Sequence, residues 1–283
     1  MSASSDSASI VSSMLRDHDY DRWLSVMFAP PEARRHLTAL YAFAHEAARI
    51  RDIVSEPQLG EIRLQWWREV IDGGRAGEAA LNPVSQQLLD AMRAFDLPAA
   101  SLAGLIEARR FDLYNDPMPD MNTLEGYCGE TCSILYRLAA QIINQDAAGQ
   151  GAPSLLADAC GHAGVADQLS ALLQALPQHA ARGQCFLPRD LLDRHGALPQ
   201  AAAAGLLTKP LLAAIGELRQ RARSHFDTSH KAIRQLPQAL KPAFAPLAIV
   251  PLRLKALEKN AHSPFEPAPH VARWRRQWAM WRF

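Results

Sequence analysis

Two carboxylates near the end of a predicted helix have a spacing suited to metal binding. Asp52 and Glu56 are four residues apart, and side chains at this spacing share one face of a helix. Carboxylate oxygens are ligands that Mg²⁺ prefers, so the pair could form half of a metal site. Three arginines are close in sequence, namely Arg49, Arg51 and Arg63. Because carboxylates among arginines usually form ion pairs, the sequence favours ion pairing and keeps the metal site as its alternative.

The cysteines and a second acidic cluster do not complete a metal site. Cys128 and Cys132 are four residues apart on a predicted helix, but structural zinc needs about four ligands and no suitably spaced partner pair is near. We interpret the two thiols as buried small side chains. Asp17, Asp19 and Asp21 are interpreted as part of a solvated leading segment. The sequence therefore predicts no bound metal.

The run of residues 270–283 predicts a basic aromatic helix. Trp274, Trp278 and Trp281 recur at three- and four-residue spacing, and Arg275 is one of four arginines around them. Such a helix could contact a membrane interface or a partner, since Trp and Arg are both favoured at interfaces. It could instead cap the protein with its tryptophan face, which is the interpretation that the sequence favours. Nucleic acid is not an expected partner, because a net charge of +1 provides no general attraction.

Helical periodicity runs along most of the chain, whereas alternating β-branched runs are nearly absent. At 48% hydrophobic and 21% charged residues, the composition excludes disordered and fibrous proteins. The sequence predicts an all-α, single-domain helical bundle over residues 17–283, preceded by a loose tail over residues 1–16. No stretch approaches the ~20 apolar residues of a membrane-spanning helix, and no secretory signal pattern is present. The expected location is the cytoplasm.

Four short segments resemble the squalene/phytoene synthase family. They are residues 40–43 (Leu-Tyr-Ala-Phe), 127–128 (Tyr-Cys), 168–170 (Gln-Leu-Ser) and 183–188, which reads Gly-Gln-Cys-Phe-Leu-Pro. The resemblance implies an isoprenoid synthase fold around a central apolar cavity, in which two aspartate-rich helical motifs hold Mg²⁺ and two prenyl diphosphates are joined head to head. It also implies seven cavity or binding candidates: Tyr41, His45, Asp52, Trp66, Tyr127, Gln168 and Phe186.

The positions that the resemblance assigns to these two motifs hold few carboxylates. The first motif falls on four residues: Ala48, Arg49, Asp52 and Glu56. The second falls on four more: Gln174, Ala175, Gln178 and His179. Arginines of the family fall on His45, Gln174 and Gln184. Mg²⁺ bridges phosphate oxygens to carboxylates, and removing one preorganised electrostatic group costs a factor of about 10²–10³ in rate. We therefore assign no catalytic residue.

Residues 52–56 and 63–67 resemble an aspartate-poor branch of the family that includes the mitochondrial assembly factor of respiratory complex I. The implied function is a non-catalytic assembly factor without a cofactor. Its implied partners are complex I subunits or assembly intermediates, with peripheral contact at the inner face of the cytoplasmic membrane. One alternative is an active prenyltransferase, which would need Mg²⁺. Another is a module that binds a prenyl lipid or a quinone without chemistry.

Two expectations concern single side chains. Trp66 and Trp67 point in adjacent directions on a helix, so only one of them can face the core fully. The sequence favours Trp66 for the core, on the same side as Leu59 and Ile62. His179 stands where the family has an aspartate, and in the absence of a substrate to deprotonate it is expected to be solvated.

Overall fold

The computed structural model of the protein describes residues 2–144, 153–258, 263–269 and 271–283. Helices make up most of these ranges, and no β-strand occurs within them. The all-α prediction is therefore confirmed. In the same ranges, no helix is both long and apolar enough to cross a membrane.

The first part of the chain folds into a series of short and medium helices. They are α1 (Ser2–His18), α2 (Tyr20–Val26), α3 (Pro31–Ala48), α4 (Ile50–Ile53), α5 (Pro57–Ile71), α6 (Ala76–Leu81), α7 (Pro83–Phe95) and α8 (Ala99–Arg109). Proline occupies the first turn of α3, α5 and α7, where its missing N–H removes no helical hydrogen bond and its φ is already helical. A 3₁₀ turn over Arg110–Leu113 ends this part.

The second part of the described chain contains nine helices of 5 to 25 residues. They are α9 (Met121–Cys128), α10 (Ile134–Ile143), α11 (Pro153–Gln174), α12 (Leu176–Ala181), α13 (Arg189–His195), α14 (Pro199–Ala203), α15 (Lys209–Ile233), α16 (Val250–Leu257) and α17 (Arg273–Arg282). A π-helical turn over Gly129–Ser133 joins α9 to α10. A 3₁₀ segment over Gln238–Ile249 precedes α16, because Pro242 and Pro246 cannot donate the hydrogen bonds of a regular α-helix.

The helices α11 and α15 form the most extensive helix pair of the fold. Helix α11 also lies directly against the π-helical turn, and a Cβ atom at Gly164 would come closer than 3.0 Å to the backbone of Ser133. Glycine is therefore required for this approach. The Ser133 hydroxyl donates a hydrogen bond to the Gly161 carbonyl at 2.8 Å. These contacts fix the position of α11, which carries Asp167 and Gln168.

The N-terminal segment is helical and packed, so the predicted loose tail over residues 1–16 is wrong for the part that the structure describes. Val11 and Leu15 are 1% and 0% exposed, and α1 packs against α2, α3 and α7. The Trp23 indole N–H donates to the Ser12 hydroxyl at 3.2 Å. The serine-rich composition concealed an apolar pair at four-residue spacing, which is sufficient to bury one helix face.

Helix α5 buries a different face from the predicted one. Trp67 is 5% exposed and its ring contacts Phe43 edge-on, with the ring centroids 5.1 Å apart. Trp66 is only partly buried, and its indole N–H donates to Glu78 at 2.8 Å. Leu59 and Ile62 are exposed. Of the predicted face, Val70 is buried, together with Leu64, Trp67 and Ile71. Both faces of α5 have helical apolar spacing, so the local pattern does not distinguish them.

Candidate functional site

The first motif lies where α3 ends and α4 begins. Arg49 follows the last residue of α3, Ala48, and its guanidinium lies 3.1 Å from the Glu46 carboxylate. Asp52 on α4 forms an ion pair with Arg182 at 2.5 Å. The preferred ion-paired interpretation therefore holds for Asp52, although its partner comes from the loop after α12 rather than from the neighbouring arginines.

Glu56, the fourth residue of the first motif, is exposed and precedes α5. Within the described part of the chain it has no salt bridge. It therefore does not pair with Arg49, Arg51 or Arg63, contrary to the ion-paired interpretation. Asp52 and Glu56 lie on opposite sides of the extended residue Val54, so they do not share one helix face. Their four-residue spacing suggested a common helix, but α4 ends at Ile53.

The second motif lies at the junction of α11 and α12. Gln174 is the last residue of α11 and is exposed, and Gln178 on α12 is exposed as well. Ala175 lies between the two helices and offers no polar group. Neither glutamine forms a side-chain hydrogen bond within the described ranges. These residues therefore provide no carboxylate and no cation to a ligand at this junction.

His179 on α12 is packed rather than solvated, so that expectation was wrong. Its ring contacts Phe186, with the ring centroids 4.5 Å apart, and its Nδ1 atom is buried without a hydrogen-bond partner. Burial, assisted by the positive charge of Arg182, lowers the pKa of His179 to about 4. His179 is therefore neutral near pH 7 and lies beside the Asp52–Arg182 ion pair.

His45, at the position of a family arginine, is half-buried on α3. Its imidazole stacks on His18 of α1, with the ring centroids 5.5 Å apart and the planes at 15°. Burial lowers the pKa of His45 from its ordinary value. A neutral imidazole at this position cannot supply the permanent positive charge of an arginine.

Tyr127 and Phe186 belong to a buried cluster whose charged members, Arg109 and Asp112, were not predicted from the sequence. The Tyr127 hydroxyl donates to Asp112 at 2.8 Å, and Arg109 lies 3.0 Å from the same carboxylate. Gln184, at the position of another family arginine, donates to the Asp112 and Tyr114 carbonyls at 2.7 and 3.2 Å. Burial raises the pKa of Asp112 although Arg109 opposes the shift. The Gln184 side-chain amide therefore ties this segment to the end of the 3₁₀ turn, and it supplies no positive charge.

A network of charged side chains lies between α2, α11, α16 and α17. Arg253 donates to the Asp167 carboxylate at 2.6 Å and lies 3.8 Å from Asp21. Arg276 donates to Asp21 at 2.9 Å. The Tyr136 hydroxyl donates to Asp167 at 3.1 Å. Sequence reasoning missed this network and interpreted Asp21 as solvated. Helix α11 carries two aspartates, Asp158 and Asp167, and its local sequence does not show that Asp167 is the buried one.

Tyr41 lies beside this charged network. The Arg22 guanidinium stands over the Tyr41 ring, 5.5 Å from its centroid, and burial raises the pKa of Tyr41. The space at this point is too small to hold a water molecule, and six residues enclose it: Arg22, Tyr41, Leu135, Tyr136, Asp167 and Pro246. A prenyl chain could enter here only if several of these side chains moved.

The predicted site residues are thus spread over several places. Tyr41 joins the charged network, Tyr127 and Phe186 join the Asp112 cluster, and Trp66 lines an outer groove between α5 and α8. Gln168 is half-buried on α11. In the described ranges, no group of three or more His, Cys, Asp or Glu side chains is arranged to hold a metal ion. The motif positions offer two carboxylates, Asp52, which Arg182 already neutralises, and the exposed Glu56, which lies beyond the end of α4. This donor set does not fit Mg²⁺ with a diphosphate.

The helix α17 presents its tryptophans to solvent. Trp274, Trp278 and Trp281 are 68%, 53% and 67% exposed, so the preferred expectation that this face caps the protein was wrong. Met280 on the opposite side is buried instead. The sequence pattern identified the helix correctly but could not show which of its two apolar faces would be covered. His270 lies outside the described residues.

Related proteins share both this sequence pattern and this fold. The profile of the squalene/phytoene synthase family matches residues 15–282. Complex I assembly factor 6 of Mus musculus is 27% identical over 256 residues, which is 90% of this chain and 75% of that protein. Phytoene synthase 2 of Solanum lycopersicum is 23% identical over 255 residues, covering 89% and 81%. A crystal structure of a dehydrosqualene synthase with a ligand superposes with a TM-score of 0.83 at 17% identity, covering 99% and 95%. The chain therefore belongs to the squalene/phytoene synthase family.

Proposed function

We propose that the protein is a non-catalytic member of its family that acts in the assembly of respiratory complex I. The observation that carries the proposal is the set of residues at the two motif positions. Asp52 is paired with Arg182 at 2.5 Å, and the neighbouring positions hold Ala48, Arg49, Ala175 and the neutral His179. This arrangement lacks the paired carboxylates that would hold Mg²⁺ at diphosphate departure, and Arg49 and Arg182 are each already paired with a carboxylate of this chain.

The likeness to complex I assembly factor 6 directs the proposal to a particular role. Its partners are complex I subunits or assembly intermediates, and it requires no cofactor. We place it in the cytoplasm, in peripheral contact with the inner face of the cytoplasmic membrane. A lipid or quinone is not needed for this role, and the closed space beside Tyr41 and Asp167 supports that view.

The first experiment compares a deletion strain with the parent strain. We expect less assembled complex I on native gels and a lower NADH:quinone oxidoreductase activity in the deletion strain. Complementation with the Asp52→Ala variant should restore both, because Asp52 forms an ion pair and carries out no catalysis. An Asp193→Ala variant, altered at an exposed carboxylate on α13, serves as the matched control. Normal complex I in the deletion strain would refute the assembly role.

The second experiment tests the alternative, a head-to-head prenyltransferase, which the fold of the dehydrosqualene synthase favours. Purified protein is incubated with farnesyl or geranylgeranyl diphosphate, Mg²⁺ and NADPH, and the organic-soluble products are analysed. We expect no hydrocarbon above a control without protein, while an active synthase works in parallel. Squalene, phytoene or a related product that disappears in the Asp52→Ala variant would establish the alternative.

A further inference from the structure

The helix α17 is held to the protein by one face only. Met280 is 4% exposed and packs with Leu24, Ala248 and Ile249. Arg276 donates to Asp21 at 2.9 Å and also lies over the Tyr20 ring, 5.2 Å from its centroid. The apolar contacts and the partly buried ion pair together fix the rotation of the helix about its axis. The side of α17 that faces outward is therefore determined.

The outward face carries the three exposed tryptophans. At about 100° of rotation per residue, Trp274, Trp278 and Trp281 fall within about 60° of one another. Met280 and Arg276 lie on the opposite side of the helix by the same geometry. The Trp278 and Trp281 rings also contact each other, with their centroids 5.1 Å apart. No part of the described chain covers this face, so it forms a continuous aromatic patch on the surface.

Cations border the aromatic patch. Arg275 stands over Trp274 and Arg282 stands over Trp278, each with its guanidinium carbon 5.8 Å from a ring centroid. Neither arginine has a carboxylate partner within the described residues. The sequence from residue 271 to 283 contains no Asp or Glu, although the net charge of the whole chain is only +1. The positive charge is thus concentrated around the tryptophans.

Indole rings beside unpaired guanidinium groups match the chemistry of one kind of surface. Tryptophan prefers the headgroup level of a bilayer, where its ring and its N–H are both accommodated. A helix with an aromatic face and arginine flanks lies in the plane of the bilayer, and anionic headgroups attract its cations. A helix of this length need not span the membrane to do so. Charge complementarity therefore favours a negatively charged lipid surface.

We infer that the exposed face of α17, formed by Trp274, Trp278 and Trp281 with Arg275 and Arg282, binds the surface of a bilayer that contains anionic lipid. The inference specifies the contact for the membrane location in the proposed function. It does not depend on complex I, because the contact involves only this chain and lipid.

The test uses the full-length protein and sedimentation with vesicles. One set contains phosphatidylcholine alone. The other contains phosphatidylcholine with about 30% phosphatidylglycerol, an anionic lipid that gives the vesicles a negative surface potential. We expect binding to the anionic vesicles only. Replacing Arg275 and Arg282 by glutamine should weaken that binding about fivefold for each arginine. Replacing the three tryptophans by alanine should abolish it.

The control variant replaces three other exposed apolar residues, Leu81, Leu198 and Leu206, by alanine. It should bind vesicles as the unaltered protein does. Thermal unfolding measured by circular dichroism should agree among all variants, since the substituted side chains point to solvent. Absence of binding by the unaltered protein, equal binding to neutral vesicles, or undiminished binding by the tryptophan variant would each overturn the inference.

Two measurements together separate this inference from the proposed function. One is the amount of assembled complex I in the deletion strain, and the other is vesicle binding by the purified, unaltered protein. Vesicle binding with normal complex I in the deletion strain would support the lipid contact and refute the assembly role. A complex I defect in the deletion strain without vesicle binding would refute the lipid contact alone.

Discussion

A single methyl group at Gly164 is expected to push α11 away from the π-helical turn. An added Cβ would come closer than 3.0 Å to the N and Cα atoms of Ser133, which belong to the backbone and cannot rotate away. Overpacking of this kind costs about 1–3 kcal/mol, and an obstacle made of backbone places Gly164→Ala at the upper end. Better helix propensity returns about 1 kcal/mol. The net expected loss of unfolding free energy is about 2 kcal/mol.

The matched control is Gly161→Ala, three residues earlier on the same helix. No heavy atom lies within 4 Å of a Cβ at Gly161, so this variant should gain up to about 1 kcal/mol from helix propensity alone. Urea unfolding followed by far-UV circular dichroism gives the difference, for which we expect about 3 kcal/mol with unchanged m values. Equal stability of the two variants would refute the close approach of α11 to Ser133.

Three further results are expected. Asp167→Ala should lower the unfolding free energy by about 3 kcal/mol in urea titrations, because it removes the nearest carboxylate of the partly buried Arg253 and leaves it only Asp21, 3.8 Å away. His179 has a pKa near 6.5 in the unfolded chain and about 4 in the folded protein. Between pH 6.5 and 4 the unfolded state therefore binds more protons than the folded state, and the free energy of unfolding falls as the pH is lowered through this window. His179→Leu should remove up to about 3 kcal/mol of that pH dependence. Ala175→Asp combined with His179→Asp should form no hydrocarbon product in the prenyl diphosphate assay, because His45 and Gln184 still hold no diphosphate.

Each of these results has a control and a contrary outcome. Asp72→Ala removes an exposed ion pair to Arg68 of similar length and should change stability by less than about 1 kcal/mol; an equal effect of Asp167→Ala would contradict the buried network. His18→Leu removes an exposed ring, and a His179 variant with the same acid sensitivity as this control would show that His179 is solvated. Product formation by the double aspartate variant would show that arginines at the positions of His45 and Gln184 are not needed to hold diphosphate.

The helical class of the fold followed from the sequence because apolar periodicity and proline positions act locally. The packed faces did not follow, because they depend on partners that are distant in sequence. On α5 the choice between Trp66 and Trp67 is decided by Phe43 of α3. On α17 it is decided by the pocket that receives Met280. Both faces of each helix have suitable spacing, so local patterns cannot distinguish them.

The candidate site was predictable only where a segment resembled the family. Residues at the motif positions were identified by that resemblance, and the structure gives their surroundings. The Asp52–Arg182 ion pair, the packing of His179 on Phe186 and the Arg109–Asp112–Tyr127 cluster join segments that are far apart in the chain. No local pattern marks these partners, because a buried charge is recognised only once the group that neutralises it is known.

The charged network also has a consequence for protein synthesis. Asp21 and Arg276, which lie 2.9 Å apart in the folded protein, are separated by 255 residues. At about 5–20 residues per second, a ribosome needs about 13–50 s to make that length of chain. Until Arg253 has been made, late in this interval, the Asp21 carboxylate has neither Arg253 nor Arg276 beside it, and an unpaired carboxylate resists burial. The helices around residue 20 therefore become fully buried only after residues beyond 250 have been made. Until then they stay accessible to solvent and to chaperones.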